Sequence, residues 1–473
     1  MHASLPVRTA GRVARGLLAT ALPLFAASAA LADEAAKPVA NPGDTAWLLT
    51  ATALVLLMTL PGLALFYGGL VRVKNVLNVF MQCFLAAGAV GLLWILVGYS
   101  LAFSSGGGSF VGNLAKAGLA GVDMNSTTAT FGTDPVRYIP EYIFVMFQAM
   151  FAIITPALIL GAVAERMKFS AFLAFICIWL ILVYCPLAYM VWGGGWIFQA
   201  GAIDFAGGMV VHMSSGCSAL VAALMVGKRR GFGKEPMAPH SMPLCLIGAG
   251  LLWVGWFGFN AGSALSASPL ATLAFLNTST ATSTAVVVWT AIEWMHRGKP
   301  TALGAATAAV AGLVAITPAC GNVSPMGSIA VGAGVSIVCY MAVTFLKPAF
   351  GYDDSLDAFG VHGMGGAWGA LASGIFATTL GTNITSNAQQ ILVQLKGIGF
   401  TAIYAPLVSF LILTVLKMVF GSLRVSDEQE FEGLDVSEHS ESAYALSGTS
   451  LGAGAHGSGA PGHAIGSVAR ETV

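Results

Sequence analysis

Between residues 46 and 421 the chain is built almost entirely of long apolar runs. They lie near 46–71, 76–103, 140–164, 169–192, 204–227, 243–264, 268–295, 301–318, 328–347, 357–380 and 396–421. A hydrocarbon core takes about 20 helical residues to cross, and a backbone in lipid must satisfy its own hydrogen bonds. Each run is long enough, and none alternates as a barrel strand would. The reading is an all-α integral membrane protein with about eleven transmembrane helices. Composition agrees: 56% of residues are hydrophobic and 9% charged, where a soluble protein carries about a quarter. The 58 glycines suit close helix packing. A formal net charge of +0 gives no support for a nucleic-acid partner; the partner is the lipid bilayer.

Residues 1–32 read as a cleaved signal peptide. Arg8, Arg12 and Arg15 form a basic region, Leu17 to Leu31 an apolar one, and Ala30-Leu31-Ala32 an Ala-x-Ala site. The membrane domain then occupies 33–421. Basic residues gather on alternate connections: Arg72 and Lys74, Arg166 and Lys168, Lys228 to Arg230 with Lys234, Arg297 and Lys299, and Lys347. The opposite connections hold only Lys116, Arg137 and Lys396, besides Lys37 in the leader of the mature chain. The positive-inside rule therefore puts the mature N-terminus outside and the tail, 422–473, in the cytoplasm. That tail is mixed and acidic to about Tyr444. It is Gly/Ser/Ala-rich and expected to be disordered after about 445. The seven cysteines are scattered with no C-x-x-C, so they read as packing residues.

Two histidines sit inside apolar runs with matching neighbours. Asp204-FAGGMVV-His212-MSS-Gly216 and Asp354-SLDAFGV-His362-GMG-Gly366 both fit Asp-x7-His-x3-Gly. A titratable ring at bilayer depth is costly, so it faces a partner group or a polar path. An outside start and an odd number of spans per block predict two inverted five-helix repeats plus one extra helix. His212 falls on the fifth span and His362 on the tenth, and such repeats put a substrate site at their interface near the midplane. Taken singly, each His could be a satisfied core residue. Haem ligation is disfavoured, since neither span carries a second His.

Other candidates have two readings. Asp204 opens a helix and is a natural N-cap, although a fixed carboxylate also lowers the cost of a nearby cation. Trp192, before a Gly-Gly-Gly turn, reads as an interfacial tryptophan. Phe151 and Phe259 read as packing rings.

Several segments carry a resemblance: FYGGLVRVKNV at 66–76, GAVAERMKFSAF at 161–172, VWGGGW at 191–196 and DFAGGMVVH at 204–212. To these add GWFGFNAGSA at 255–264, ITPACG at 316–321, DAFGVHG at 357–363 and EGLDVSEHSESAY at 432–444. With them the chain resembles the ammonium transporter family (Amt/Mep, with Rh proteins as distant relatives), in its bacterial Amt branch, from about Ala46 to Tyr444. The resemblance implies a homotrimer in the bacterial inner membrane, each protomer having its own narrow pore. It implies that Trp192, Phe151 and Ser263 recruit ammonium, that methylammonium also fits, and that Phe151 and Phe259 gate the mouth. It implies pore-lining roles for Gln148, Trp256 and Thr317, support from Asp204 and Asp357, and hydrogen-bonded pore histidines His212 and His362. It further implies docking of a PII-type regulatory protein on the cytoplasmic face. No enzyme activity, cofactor or metal is expected.

The expected mechanism is dissociation of ammonium followed by passage of NH3. Alternatives left open are an electroneutral NH3 gas channel, an ammonium sensor signalling through the tail, and a channel for another small solute such as urea.

Overall fold

The computed structural model describes residues 38–131 and 133–444. The expected signal peptide and the stretch after about 445 lie outside the described residues. Eleven helices cross the bundle among the described residues. They are α1 Pro42–Leu70, α2 Val73–Phe103, α3 Glu141–Val163, α4 169–191, α5 Gly208–Val226, α6 Met242–Gly262, α7 Pro269–Arg297, α8 Ala302–Ile316, α9 Pro325–Phe350, α10 359–375 and α11 Asn387–Phe420. Two of them, α8 and α10, are short. Six of the eleven helix starts are capped by the side chain of the residue just before them. The side chains of Asn41, Ser241, Ser268, Thr301, Ser324 and Ser386 each accept a backbone N–H of the first turn, and Pro opens α1, α6, α7 and α9.

The block α1 to α5 begins, with α1, on the face that carries a short β-hairpin, Thr127–Ala129 paired antiparallel with Tyr138–Pro140. The block α6 to α10 begins, with α6, on the opposite face, so the second block is inverted relative to the first. That opposite face carries the tail helices α12 Asp427–Glu432 and α13 Leu434–His439. The two faces are called the hairpin side and the tail side below.

On the tail side four connections are tied by charge. Arg229 bridges to Asp353 at 2.8 Å and to Glu165 at 3.4 Å, and Glu165 bridges to Arg72 at 2.8 Å. These residues stand between α5 and α6, α9 and α10, α3 and α4, and α1 and α2 respectively. The tail lies over this clamp. Glu430 accepts from the Arg230 backbone at 2.7 Å, Asn75 Oδ1 from Leu434 N at 2.9 Å, and Asp435 Oδ1 from Asn78 N at 2.8 Å near the start of α2.

Two boundaries differ from the sequence expectation. Helix α11 begins at Asn387, not near 396, because Gln390 and Gln394 are buried there. Gln394 binds Ile203 N and O and Ala370 O, while Gln390 donates to Gly201 O at 3.0 Å. These amides satisfy the irregular backbone ahead of α5, a task that needs polar side chains and hides the helix from hydropathy. Conversely, residues 204–207 are not helical, and α5 begins at Gly208.

Candidate functional site

The histidine segments share one construction. Asp204 takes all four backbone amides that open α5: Gly207 N at 3.1 Å and Gly208 N on Oδ1, Met209 N at 2.8 Å and Val210 N at 3.1 Å on Oδ2. A carboxylate offers about four acceptor directions, so none is left for a cation. Asp354 plays the matching part at α10, accepting from Ala358 N at 3.0 Å and Phe359 N at 2.7 Å. Asp357 does something else: it has φ of 59° and pairs with Lys347 at 2.6 Å. Both histidines lie in a wide first turn of π type, Gly208–Met213 and Phe359–Gly363. The His212 N–H reaches back to Gly207 O at 3.1 Å.

The motif glycines explain how the rings meet. A Cβ on Gly216 would sit 2.1 Å from Gly363 N, and one on Gly366 would sit 2.8 Å from Gly208 O and 3.1 Å from His212 Cβ. Each half's glycine thus receives the other half's histidine turn, so α5 and α10 cross backbone to backbone. The two imidazoles stand Nδ1 to Nδ1 at 3.3 Å, stacked with centroids 5.4 Å apart. One Nδ1 must carry the proton and the other accept it. His212 Nε2 is buried and has no hydrogen-bond partner. If His212 accepts at Nδ1, its Nε2 carries a proton into the path; if it donates, Nε2 is a bare acceptor.

Aromatic rings line the approach. His212 stacks on Trp256 at 5.3 Å and on Phe259 at 6.0 Å, and Phe259 lies against Phe151 at 4.1 Å and 31°. Trp192 meets Phe151 edge-on at 6.1 Å. The Trp192 indole donates to Asp204 O at 2.8 Å, so the residue that caps α5 also fixes this ring. Trp256 donates to Thr317 Oγ1 at 2.8 Å, and the Ser263 hydroxyl to Phe259 O at 2.8 Å. Gln148 Oε1 is buried and unpartnered.

Three cavities follow in line. One of about 270 Å³ opens on the hairpin side and is lined by Gln148, Phe151, Trp192 and Ser263 among others. Phe151 and Phe259 close it. Beyond them a pocket of only about 10 Å³ is lined by His212, His362, Trp256, Phe259, Leu158 and further apolar residues. That is the room of about one water, among walls that offer few hydrogen bonds. A third cavity of about 500 Å³ on the tail side shares Phe66, Val310 and His362 with the small one. All candidates except Asp204, Asp357 and Thr317 therefore border the first two cavities. Asp204 and Thr317 sit behind them, each holding an indole, and Asp357 lines the third. Sequence reading missed Phe66, which borders both inner cavities inside the FYGG segment; a lone ring in an apolar run gave no signal. It also passed over Glu141, an acidic residue in the first turn of α3.

A helical membrane protein of inverted halves, with a near-closed apolar passage where those halves meet, is the class that fold and site define. The profile of the Ammonium Transporter Family matches residues 46–444, and the chain belongs to that family. An ammonium transporter of Bacillus subtilis (strain 168) is 47% identical over 411 residues, covering 85% of this chain and 98% of the relative. One from Aquifex aeolicus (strain VF5) is 47% identical over 441 residues, covering 92% and 100%. Among solved structures, Mep2 of Candida albicans superposes with a TM-score of 0.75 at 34% identity, covering 82% of this chain and 87% of Mep2. A protein described as a sensor Amt protein superposes with a TM-score of 0.77 at 30% identity, covering 84% and 98%.

Proposed function

We propose that this protein transports ammonium across the bacterial inner membrane by taking the cation apart before passage. The hairpin side faces out and the tail side faces the cytoplasm, as the basic connections require. Ammonium enters the outer cavity, where the Trp192 and Phe151 rings attract a partly desolvated cation by roughly 2 kcal/mol. The Ser263 hydroxyl and Gln148 Oε1 offer acceptors to its N–H donors. Methylammonium has the same head and fits the same cage. Opening of the Phe151–Phe259 pair then admits the guest to the histidine pair.

The observation that carries this reading is the pocket of about 10 Å³ between the ring pair and the imidazoles. Moving an unpaired cation into so apolar a tube costs tens of kcal/mol on Born estimates. Removing a proton costs about 3 kcal/mol at neutral pH, for a pKa roughly two units above neutral. Dissociation wins by a wide margin, and K⁺ and Na⁺ have no neutral form to send. The imidazole pair supplies one donor and one acceptor and can relay the separated proton or return it to NH3. The working unit is a homotrimer, and the tail with its neighbouring loops is the docking surface for a PII-type regulator.

The double variant His212→Ala, His362→Ala tests the assignment in reconstituted membranes. Loss of methylammonium uptake, or of selectivity over K⁺, is expected; normal uptake with unchanged selectivity contradicts it. An ammonium-dependent current accompanies flux if the proton follows, and its absence returns the electroneutral gas channel. A sensor reading calls for binding with no flux at all.

A further inference from the structure

The mouth of the hairpin-side cavity holds a charged cluster that this route does not use. Glu141 stands in the first turn of α3, where the helix N-terminus favours a carboxylate, and only 5% of the residue is exposed. Its Oε1 accepts from the Tyr99 hydroxyl at 2.5 Å and from the Lys116 ammonium. The same ammonium lies 5.7 Å from the centre of the Tyr99 ring. Lys116 belongs to the connection between α2 and α3, and its backbone N–H is held by Ser100 Oγ at 2.9 Å. Tyr99, Lys116 and Glu141 all line the cavity that ends at Phe151, Trp192 and Ser263.

The two ends of this ion pair are not equally fixed. The Glu141 side chain is 7% exposed and that of Lys116 31%. The carboxylate is anchored on a helix, whereas the ammonium rides on a flexible four-carbon stem. The tip of a lysine, one carbon and its NH3⁺, is methylammonium on a tether. A carboxylate beside an aromatic face is the surrounding such a cation takes.

We propose that Glu141 and Tyr99 form a second binding subsite for ammonium-type monovalent cations, and that Lys116 fills it as an intramolecular competitor. Glu141, Phe144, Gln148 and Phe151 are spaced i, i+3, i+7 and i+10 along α3, and all four line the cavity. The subsite therefore stands about 15 Å up the helix from the closing ring. With Lys116 in place the carboxylate is neutralised, and the mouth does not gather K⁺ or Na⁺. A tethered ligand acts at an effective concentration of the order of millimolar, so free ammonium displaces it only at about that level. With Lys116 removed, a desolvated carboxylate is left without a counter-charge and recruits one from solution. The transport consequence rests on the hairpin-side cavity being the entrance; the binding consequence does not.

The test uses full-length protein, as crystals soaked in Rb⁺ and as proteoliposomes. Lys116→Met is expected to show an anomalous Rb⁺ peak beside the Glu141 carboxylate that the wild type and Lys116→Met, Glu141→Gln lack. Half-saturation by ammonium at low ionic strength should fall about tenfold in the single variant and return in the double. An ordered Glu141 without Rb⁺ in Lys116→Met overturns the subsite, whatever the flux. A peak with unchanged half-saturation keeps the subsite and overturns the competitor role. Should Lys116→Met not fold, Lys116→Ala is melted with and without methylammonium. Rescue by methylammonium but not by tetramethylammonium supports the subsite, and no rescue overturns it.

Discussion

The two histidine segments have the same backbone plan and different electrical surroundings. At α5 the capping Asp204 spends its oxygens on four amides, and His212 faces the rings of Trp256 and Phe259. At α10 the capping Asp354 takes two amides and has the Lys347–Asp357 ion pair nearby, while His362 borders the large tail-side cavity. Duplication fixed the main chain, with a capped wide turn and a glycine four residues after each His. The side chains around it then diverged, leaving one ring in an aromatic sleeve and the other at the edge of a roomier cavity lined by charged residues. Symmetry here belongs to the scaffold and asymmetry to the chemistry.

The largest effect should come from the shared part. Gly366→Leu and Gly216→Leu each drive a side chain into the opposite histidine turn, at 3 kcal/mol or roughly more by overpacking. Both should abolish monodisperse protein on size exclusion, and equally, since the crossing is reciprocal. Good yield from one and not the other breaks the symmetric scaffold. Next comes the cap. Asp204→Ala leaves four amides without partners, so about 2 kcal/mol is expected, against about 1 kcal/mol for Asp354→Ala, which frees two. Thermal melting of the two variants sharpens the comparison, and an equal loss would remove the distinction between the ends.

The smallest effect concerns pH at the clamp that abuts the second segment. Burial alone would lift the Asp353 carboxyl, but hydrogen bonds with Arg229 and that cation's charge hold it below the ordinary range. A depressed carboxyl stabilises above its unfolded value, near 3.9, and the contribution fades as pH falls through the folded value. Melting temperature in the wild type should therefore drop between about pH 5 and the folded value. Asp353→Asn starts lower and loses less over that window; parallel curves would show that the carboxylate carries no such linkage.

Much of this arrangement was legible in the chain. Eleven apolar runs gave eleven helices, and the repeated Asp-x7-His-x3-Gly singled out the two histidines and the cap Asp204, while the crossing role of its glycines emerged only in the fold. What stayed hidden has a common cause: it depends on partners far away in sequence. Gln390 and Gln394 read as a polar linker because their value lies in the backbone of residues 201–203. The motif picked out Asp354 and the resemblance Asp357; the fold gives the cap to Asp354 and an ion pair with Lys347 to Asp357. Lys116 and Glu141 look like ordinary loop and helix-end charges until the fold closes them over one cavity. The hairpin at 127–140 is too short for its alternation to register.

Because Gly216 and Gly363 meet main chain to main chain, the span between the two histidine-bearing turns is a property of two crossed rods. Widening such a waist means parting the two helices rather than turning a rotamer. The Phe151 and Phe259 rings, by contrast, stand on side-chain torsions, so on the proposed route the adjustable aperture is the outer closure and the histidine station keeps a fixed bore.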